Sequence, residues 1–370
     1  MCPIILCACW NYREIDTLAI VAGMAIDKDP LSNKYILTTE IISTQSQGGT
    51  NITSSEIYST QGDTIFNAVR DLIEQTGSRL FWSGSKVVII SESLANEGII
   101  PAIDWTNRSN FVRPDIWLLI SKDNTAAEIL KNKVKLNVIT SLHFDDTMNS
   151  WKVLSKFPPS TVWSFVDGLS SGKSEAVATV KNELNNGSIS PLIDGSAIFK
   201  SDKLVGYLNG NETLYMLMIK NEIKQALITL INVSGSNTNV TLEINDNRTK
   251  LTPIYKNGKV SMIVDIYPVT SIHEVQGTKD FMKEENLKTL ESEAEKKFES
   301  QIKYLISKLQ KDYDSDVLGF GEIFKEEKPK ISENFEKNKK DIFTNMKTTV
   351  NVHLQIKGSS KTIKPISIDK

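Results

Sequence analysis

The stretch Leu287-Lys-Thr-Leu290-Glu-Ser-Glu-Ala294-Glu-Lys-Lys-Phe298-Glu-Ser-Gln-Ile302-Lys-Tyr-Leu305-Ile306-Ser-Lys-Leu309 decides the class of the last third of the chain. Its apolar residues recur three and four apart, the spacing that lines one face of a 3.6-residue helix. The stripe predicts a single amphipathic helix over 280–313. Ahead of it, 225–233, 239–244, 251–255 and 259–267 read as strands. The last two flank Lys256-Asn257-Gly258, whose Asn-Gly pair suits a tight hairpin turn. Behind it, 348–357 alternates through Val350, Val352, Leu354 and Ile356, a half-buried strand. Strands on both sides of one long helix predict an α+β domain.

Upstream the pattern changes. Leu18-Ala-Ile-Val-Ala-Gly-Met-Ala-Ile26 reads as a mostly buried strand that turns at Asp27-Lys-Asp-Pro30, and 35–42 returns as its hairpin partner. The Ser/Thr/Gln/Gly-rich stretch 43–62 reads as a long mobile loop. Asp63 or Thr64 caps a helix that stops at Gly77. Lys86-Val-Val-Ile-Ile90 and 115–120 are strands, with short helices at 93–96, 100–107 and 125–131. This alternation predicts α/β structure with a mixed sheet. Residues 144–174 read as irregular, 192–208 as a hairpin and 212–219 as a helix. The expected organisation is a signal remnant over 1–9, an N-terminal α/β domain over 10–135 and a middle domain or excursion over 136–215. A C-terminal α+β domain over 216–358 and a tail over 359–370 complete it.

Composition narrows the functional classes. Of 370 residues, 40% are apolar and 24% charged, with a net charge of −2. That is a globular chain with no basic field for nucleic acid. All three cysteines, Cys2, Cys7 and Cys9, fall in the first nine residues. A disulfide framework or thiolate metal cluster in the body is excluded. No apolar run is long enough to span a bilayer.

Leu6-Cys7-Ala8-Cys9 is a short apolar run ending in a small residue and a cysteine, with charged residues close behind. That layout marks a lipoprotein signal, in which Cys9 carries covalent diacylglycerol and a fatty acyl chain. The plain alternative is a cysteine near an N-terminus. Gly168-Leu-Ser-Ser-Gly172-Lys173-Ser174 imitates a phosphate loop but has three residues between its glycines where four are required, so it reads as a surface loop. His143, His273 and His353 stand alone, without ligand spacing or a nucleophile motif. Asp104 and Arg108 are spaced for an ion pair on one helix, and Arg113 begins the next strand. The three are expected to lock helix to strand, in preference to binding an anion. Lys308 and Lys311, with the apolar loop holding Val317, Leu318 and Phe320, are expected to form a docking surface where the long helix overhangs its sheet.

Several blocks together resemble a known family. They are Cys9-Trp10-Asn11-x-Arg13-Glu14-Ile15 with Gly23-Met-Ala-Ile-Asp27, then Lys86-Val-Val-Ile-Ile-x-Glu92-x-Leu94-Ala95-x-Glu97-Gly98-Ile99, and Asp104-Trp105-x-x-Arg108-x-x-x-x-Arg113. Ala197-Ile-Phe-Lys-Ser-Asp202-Lys203-Leu204-Val205-Gly206-Tyr207-Leu208 and Gln310-Lys311-Asp312-Tyr313-x-x-Asp316-Val317-Leu318-Gly319-Phe320-Gly321 complete the set. The chain resembles the Ger(x)C-type proteins, C-subunit lipoproteins of bacterial spore germinant receptors. Gly84 and Ser85 stand where members often carry a histidine, and Lys330-Ile331 where aromatics often follow a proline. The resemblance implies a lipid-anchored body at the spore inner membrane beside two membrane-embedded subunits. It implies no enzymatic activity, no cofactor beyond the lipid on Cys9 and no established small-molecule ligand. The competing expectation is a solute-binding lipoprotein of a transporter, which requires two similar lobes around a cleft.

Overall fold

The computed structural model describes residues 18–359, apart from 48–49, 110, 133, 135–137, 186, 236, 278, 282, 332–341 and 345. Cys9 and residues 360–370 lie outside the described residues. The first sheet is built on β1 (Leu18–Lys28), with β2 (Tyr35–Gln47), β3 (Thr50–Gly62), β4 (Arg79–Phe81), β5 (Val87–Ile90), β6 (Trp117–Ser121), β7 (Ala176–Asn185), β8 (Ser188–Lys200) and β9 (Lys203–Leu208). Its order is β3-β2-β1-β5-β6-β7-β8-β9, with β4 beside the start of β1. The centre, β1-β5-β6-β7, is parallel, and an antiparallel hairpin closes each side.

All four residues of β5 are buried, and they alternate between two cores. Val88 and Ile90 face α1 (Ile65–Thr76), α2 (Glu92–Glu97), α3 (Ile100–Arg108) and α7 (Val162–Ser170). Val87 and Ile89 face α4 (Ala126–Lys131), α5 (Thr140–Asn149) and α6 (Trp151–Leu154). A parallel strand covered on both faces must be apolar throughout, which is why this run is unbroken.

Two strand carboxylates hold the helices of the second face. Asp27 accepts from the backbone N–H groups of Ala126 (2.7 Å) and Ala127 (3.0 Å) at the start of α4. Glu40 accepts from the N–H groups of Thr140 (2.9 Å) and Ser141 (2.7 Å) at the start of α5. Negative charge there satisfies orphan donors and complements the helix dipole. Gly23 makes the approach possible: a Cβ on it would stand 2.2 Å from Ser141 Oγ.

The expected loop over 43–62 is instead the paired length of β2 and β3, in register from Tyr35↔Gly62 to Gln47↔Thr50. Hydroxyl side chains bond across it, as Thr38 Oγ1 to Ser59 Oγ (2.9 Å) and Ser55 Oγ to Glu40 (2.7 Å). The region expected to be irregular, 144–174, holds the end of α5, then α6 and α7. Residues 192–208 form the expected hairpin, and it belongs to the first sheet.

The second sheet comprises β10 (Ala226–Leu230), β11 (Asn239–Lys256), β12 (Lys259–Gln276), β13 (Lys347–Val352) and β14 (Gln355–Ser359). Two helices cover it, α8 (Gly210–Ile219) and α9 (Glu284–Lys308), and α10 (Phe320–Glu327) lies at the end of β11. Every residue of α8 except Asn211 is buried, as befits a helix wedged between two sheets. The stripe of α9 is core: Leu290, Ala294, Phe298, Ile302, Leu305 and Ile306 are buried. Phe298 meets Tyr215 edge to face at 5.8 Å.

The expected overhang of the long helix is not found. α9 has 25 residues, about 37 Å, and its last turn widens to a π-turn over Leu309–Tyr313. β11 and β12 have 18 residues each, about 60 Å. The sheet outruns the helix along its strands. Three carboxylates one helical turn apart on α9 meet the last strands. Glu299, Glu295 and Glu291 accept from the N–H groups of Val352 (3.4 Å), Leu354 (2.9 Å) and Ile356 (2.9 Å).

Candidate functional site: the seam between the sheets

β8 turns at Ser201 into β9, and this hairpin is the edge at which the first sheet meets the π-turn after α9. Lys200 pairs with Asp314. Ser315, fully buried, donates from Oγ to the Phe199 carbonyl (2.8 Å). Tyr313 Oη donates to the Tyr207 carbonyl (2.7 Å) and accepts from its N–H (3.2 Å). Gly206 admits that ring: a Cβ there would stand 2.1 Å from it. On the other side of the hairpin the Asp202 carbonyl accepts from the Ile99 N–H (2.9 Å). Three blocks that carry the family resemblance, around Lys86–Ile99, Ala197–Leu208 and Gln310–Gly321, therefore close on one another.

Lys308 lies inside this seam. Its ammonium donates to both oxygens of Glu212 (2.9 and 3.1 Å) and to the Tyr207 carbonyl (3.1 Å). Burial works against its charge, yet the Glu212 carboxylate holds Lys308 above its ordinary value. Glu212 itself completes a capping box with Asn209 at the start of α8. One lysine thus joins β9, α8 and α9. Burial, with the nearby charge of Glu92, pushes the Tyr207 phenol far up, and Lys122 lies 4.7 Å from its ring centre.

Beside the seam opens a cleft of about 1600 Å³. Its walls come from α7 and the turn after it, the β8–β9 turn, the end of α8 and the start of α10. Lys173 crosses it to Glu322 (3.1 Å). Glu175 stands over Gly168, where a Cβ would lie 1.7 Å from its Oε1. Burial raises the Glu175 carboxyl to about 7, with Lys220 and Lys173 opposing and Glu222 and Asp167 adding to the rise. Asp316 accepts from the N–H groups of Phe320 (3.0 Å) and Gly321 (2.7 Å), and burial raises it as well.

The remaining sequence candidates separate. Arg108 pairs with Asp104 at 2.6 Å, but Arg113 pairs with Asp115 at 2.6 Å, and both arginines are exposed. The expected lock of helix to strand is therefore corrected to two separate surface pairs. Among the docking candidates, Val317 and Leu318 are 3% exposed and Phe320 is fully buried against Phe343. Lys311 alone is exposed. The docking expectation fails at Val317, Leu318 and Phe320 because the loop folds back into the core of the second sheet, and at Lys308 because Glu212 and the Tyr207 carbonyl take up its ammonium. The Gly168–Ser174 stretch is a helix end: the Gly172 and Lys173 N–H groups donate to the carbonyls of Leu169 and Gly168, so neither is free for phosphate. His273 pairs with Glu243, His353 stacks on Tyr267, and burial lowers His143. Among the described residues no group of three or more His, Cys, Asp or Glu could hold a metal ion.

Sequence reasoning missed Glu212, Tyr313 and Gly206 as a unit. The Asn209-to-Glu212 spacing was a visible capping signal. The fit of Gly206 to Tyr313 is a contact across 107 residues and has no local signature.

Comparison with known proteins identifies the family and the fold. Residues 11–181 match the family "Spore germination protein N-terminal domain", and residues 194–360 match "Spore germination B3/GerAC like, C-terminal". Spore germination protein YndF of Bacillus subtilis is 26% identical, covering 98% of this chain and 96% of its own. Spore germination protein KC of the same organism is 25% identical, covering 86% and 84%. A crystal structure of the GerBC protein superposes with a TM-score of 0.61 at 21% identity, over 93% of this chain and all of that one, and shows the same fold. Both matched families are described by germination and neither by an enzyme activity. The chain belongs to the Ger(x)C family of germinant-receptor C subunits, non-catalytic proteins with a role in spore germination.

Proposed function

We propose that this protein is the lipid-anchored subunit of a germinant receptor at the spore inner membrane. It acts as an assembly or signalling component beside two membrane-embedded subunits. The observation that carries the reading is the match of both family descriptions across nearly the whole chain, joined to a Leu6–Cys9 lipobox. No helix among the described residues is long and apolar enough to cross a membrane, and the proposed attachment is the lipid on Cys9. One acyl chain binds a bilayer only reversibly, and the diacylglycerol with its added fatty acid makes the attachment durable. The test is fractionation: Cys9→Ser is expected to leave the membrane after a salt wash, and to lose co-purification with the two membrane subunits. Retention of the Cys9→Ser protein in washed membranes would reject the anchor.

The cleft is the observation that favours the second reading, a solute-binding lipoprotein. Against it, the two walls come from unlike halves, and Lys173, Lys200 and Lys220 are each already paired with a carboxylate. A bound solute at 100 times its Kd adds about 2.7 kcal/mol of stability. A flat thermal-shift screen of small solutes is expected.

A further inference from the structure

The start of β1 lies at one end of the first sheet. Leu18 is in register with Arg79 and Ile20 with Phe81, so β4 marks the same end. The Ser83 side chain donates to the Phe111 carbonyl (2.8 Å), which brings the loop after α3 alongside. The Trp163 N–H donates to the Pro114 carbonyl (3.0 Å), which adds the start of α7. Three aromatic side chains are left uncovered on these segments: Phe81 is 39% exposed, Phe111 56% and Trp163, which also lines the cleft, 60%. The Arg79 guanidinium lies 5.6 Å from the Phe111 ring centre and has no carboxylate partner among the described residues. Near these segments Asp104, Asp115 and Asp145 are occupied by Arg108, Arg113 and Lys86 in turn, while Glu74 at the end of α1 and Asp167 on α7 have no ion pair among the described residues.

The β2–β3 hairpin projects from this same end, because Ile42 pairs with Ile20 and the strand runs on to Gln47. No charged residue occurs between Ile41 and Ser55. An anionic surface would meet no repulsion from it. Exposed aromatics with a free arginine are what a protein offers to the headgroup layer of a bilayer. The tether fixes which bilayer end is within reach. Nine residues lead from Cys9 to Leu18, at most roughly 32 Å of extended chain.

We infer that the end of the first sheet carrying Arg79, Phe81, Phe111 and Trp163 is a bilayer-contacting face that seats the body on anionic phospholipid. The inference rests on the anchor at Cys9 only for its orientation. Anchored there, the body does not swing freely on its tether. It stands on this end, with the opposite end of β1 and the Asp29–Asn33 turn directed away from the membrane.

The test replaces the lipid by an artificial tether, so that it does not depend on acylation. The full chain, with Cys2, Cys7 and Cys9 changed to Ser and an N-terminal hexahistidine, is held on phosphatidylglycerol–phosphatidylcholine vesicles containing a nickel-chelating lipid. An environment-sensitive dye is placed by Phe111→Cys in one sample and by Leu31→Cys in another. Leu31 is 95% exposed at the far end of β1. The dye at 111 is expected to shift to the blue and to be quenched by brominated lipid, and the dye at 31 to do neither. Without the tether, Trp163→Ser is expected to lower partitioning onto the same vesicles about tenfold. Arg79→Ser is expected to lower it about fivefold. Equal dye responses at 111 and 31, or partitioning unchanged in both variants, overturns the inference. Failure here leaves Cys9 lipidation standing, because fractionation of Cys9→Ser reads that separately.

Discussion

The two sheets solve the same burial problem in opposite ways. The first is covered on both faces, so its central strands are apolar at every position, as in Val87–Ile90. The second is covered chiefly on one face, and its strands alternate: Ala226, Ile228 and Leu230 are buried while Leu227 and Thr229 are exposed. The first sheet spreads its core over seven short helices. The second concentrates it on α8 and α9. A defect in one helix should therefore be shared among neighbours in the first sheet and be borne almost alone in the second.

Phe298 is the sharpest place to break that comparison. It is fully buried where α9 crosses α8, and Phe298→Ala is expected to destabilise by about 3–5 kcal/mol. Chemical denaturation should show the second sheet melting ahead of the first. A single coincident transition would mean that the seam couples the two sheets completely.

Glu175 tests the cleft between them. Its carboxyl is raised from 4.5 to about 7 because burial disfavours the charged form. A raised carboxylate favours the fold while protonated, so its contribution is complete below about pH 4.5 and is lost as pH rises through about 7. Glu175→Gln should stabilise the protein at pH 8 by at most about 3 kcal/mol and change little at pH 4.5. Thermal midpoints across pH for both proteins check it. Parallel curves would place Glu175 in water.

A smaller effect is expected at the seam. Lys308→Met leaves Glu212 without its cation while keeping the apolar stem, at a cost of about 1–2 kcal/mol. A double-mutant cycle with Glu212→Gln isolates the pair, and an interaction energy near zero would show that Lys308 acts only as packing. Smallest of all, Arg108→Ala and Arg113→Ala are expected to leave the thermal midpoint unchanged, because both ion pairs stand in solvent.

Much of this molecule was legible because its signals were local. The α9 stripe, the Lys256–Lys259 hairpin turn and the Val87–Ile90 strand follow from period and turn chemistry alone. The β2–β3 arm reads as a loop because Ser and Thr are common in loops and compatible with strands, and only its pairing decides. Asp104 and Arg108 were paired correctly by helical spacing, but Asp115, two residues beyond Arg113, captured the second arginine. The loop at Val317–Phe320 was apolar for the ordinary reason that it is core. What the sequence could not show was distance-spanning fit: Gly206 under Tyr313, and Lys308 turned inward to Glu212. The family blocks marked those segments without showing that they meet.

The three glutamates of α9 have a further consequence. Successive turns of a helix advance about 6.0 Å every four residues, and alternate residues of a strand about 6.6 Å. The two rulers are close enough for three marks to coincide, at Glu299, Glu295 and Glu291 against Val352, Leu354 and Ile356. A helix thereby does the work of a neighbouring strand, with side-chain oxygens in place of carbonyls. Where these three donors are capped, the last strands offer them to no other chain, so this part of the margin is closed to edge-to-edge growth.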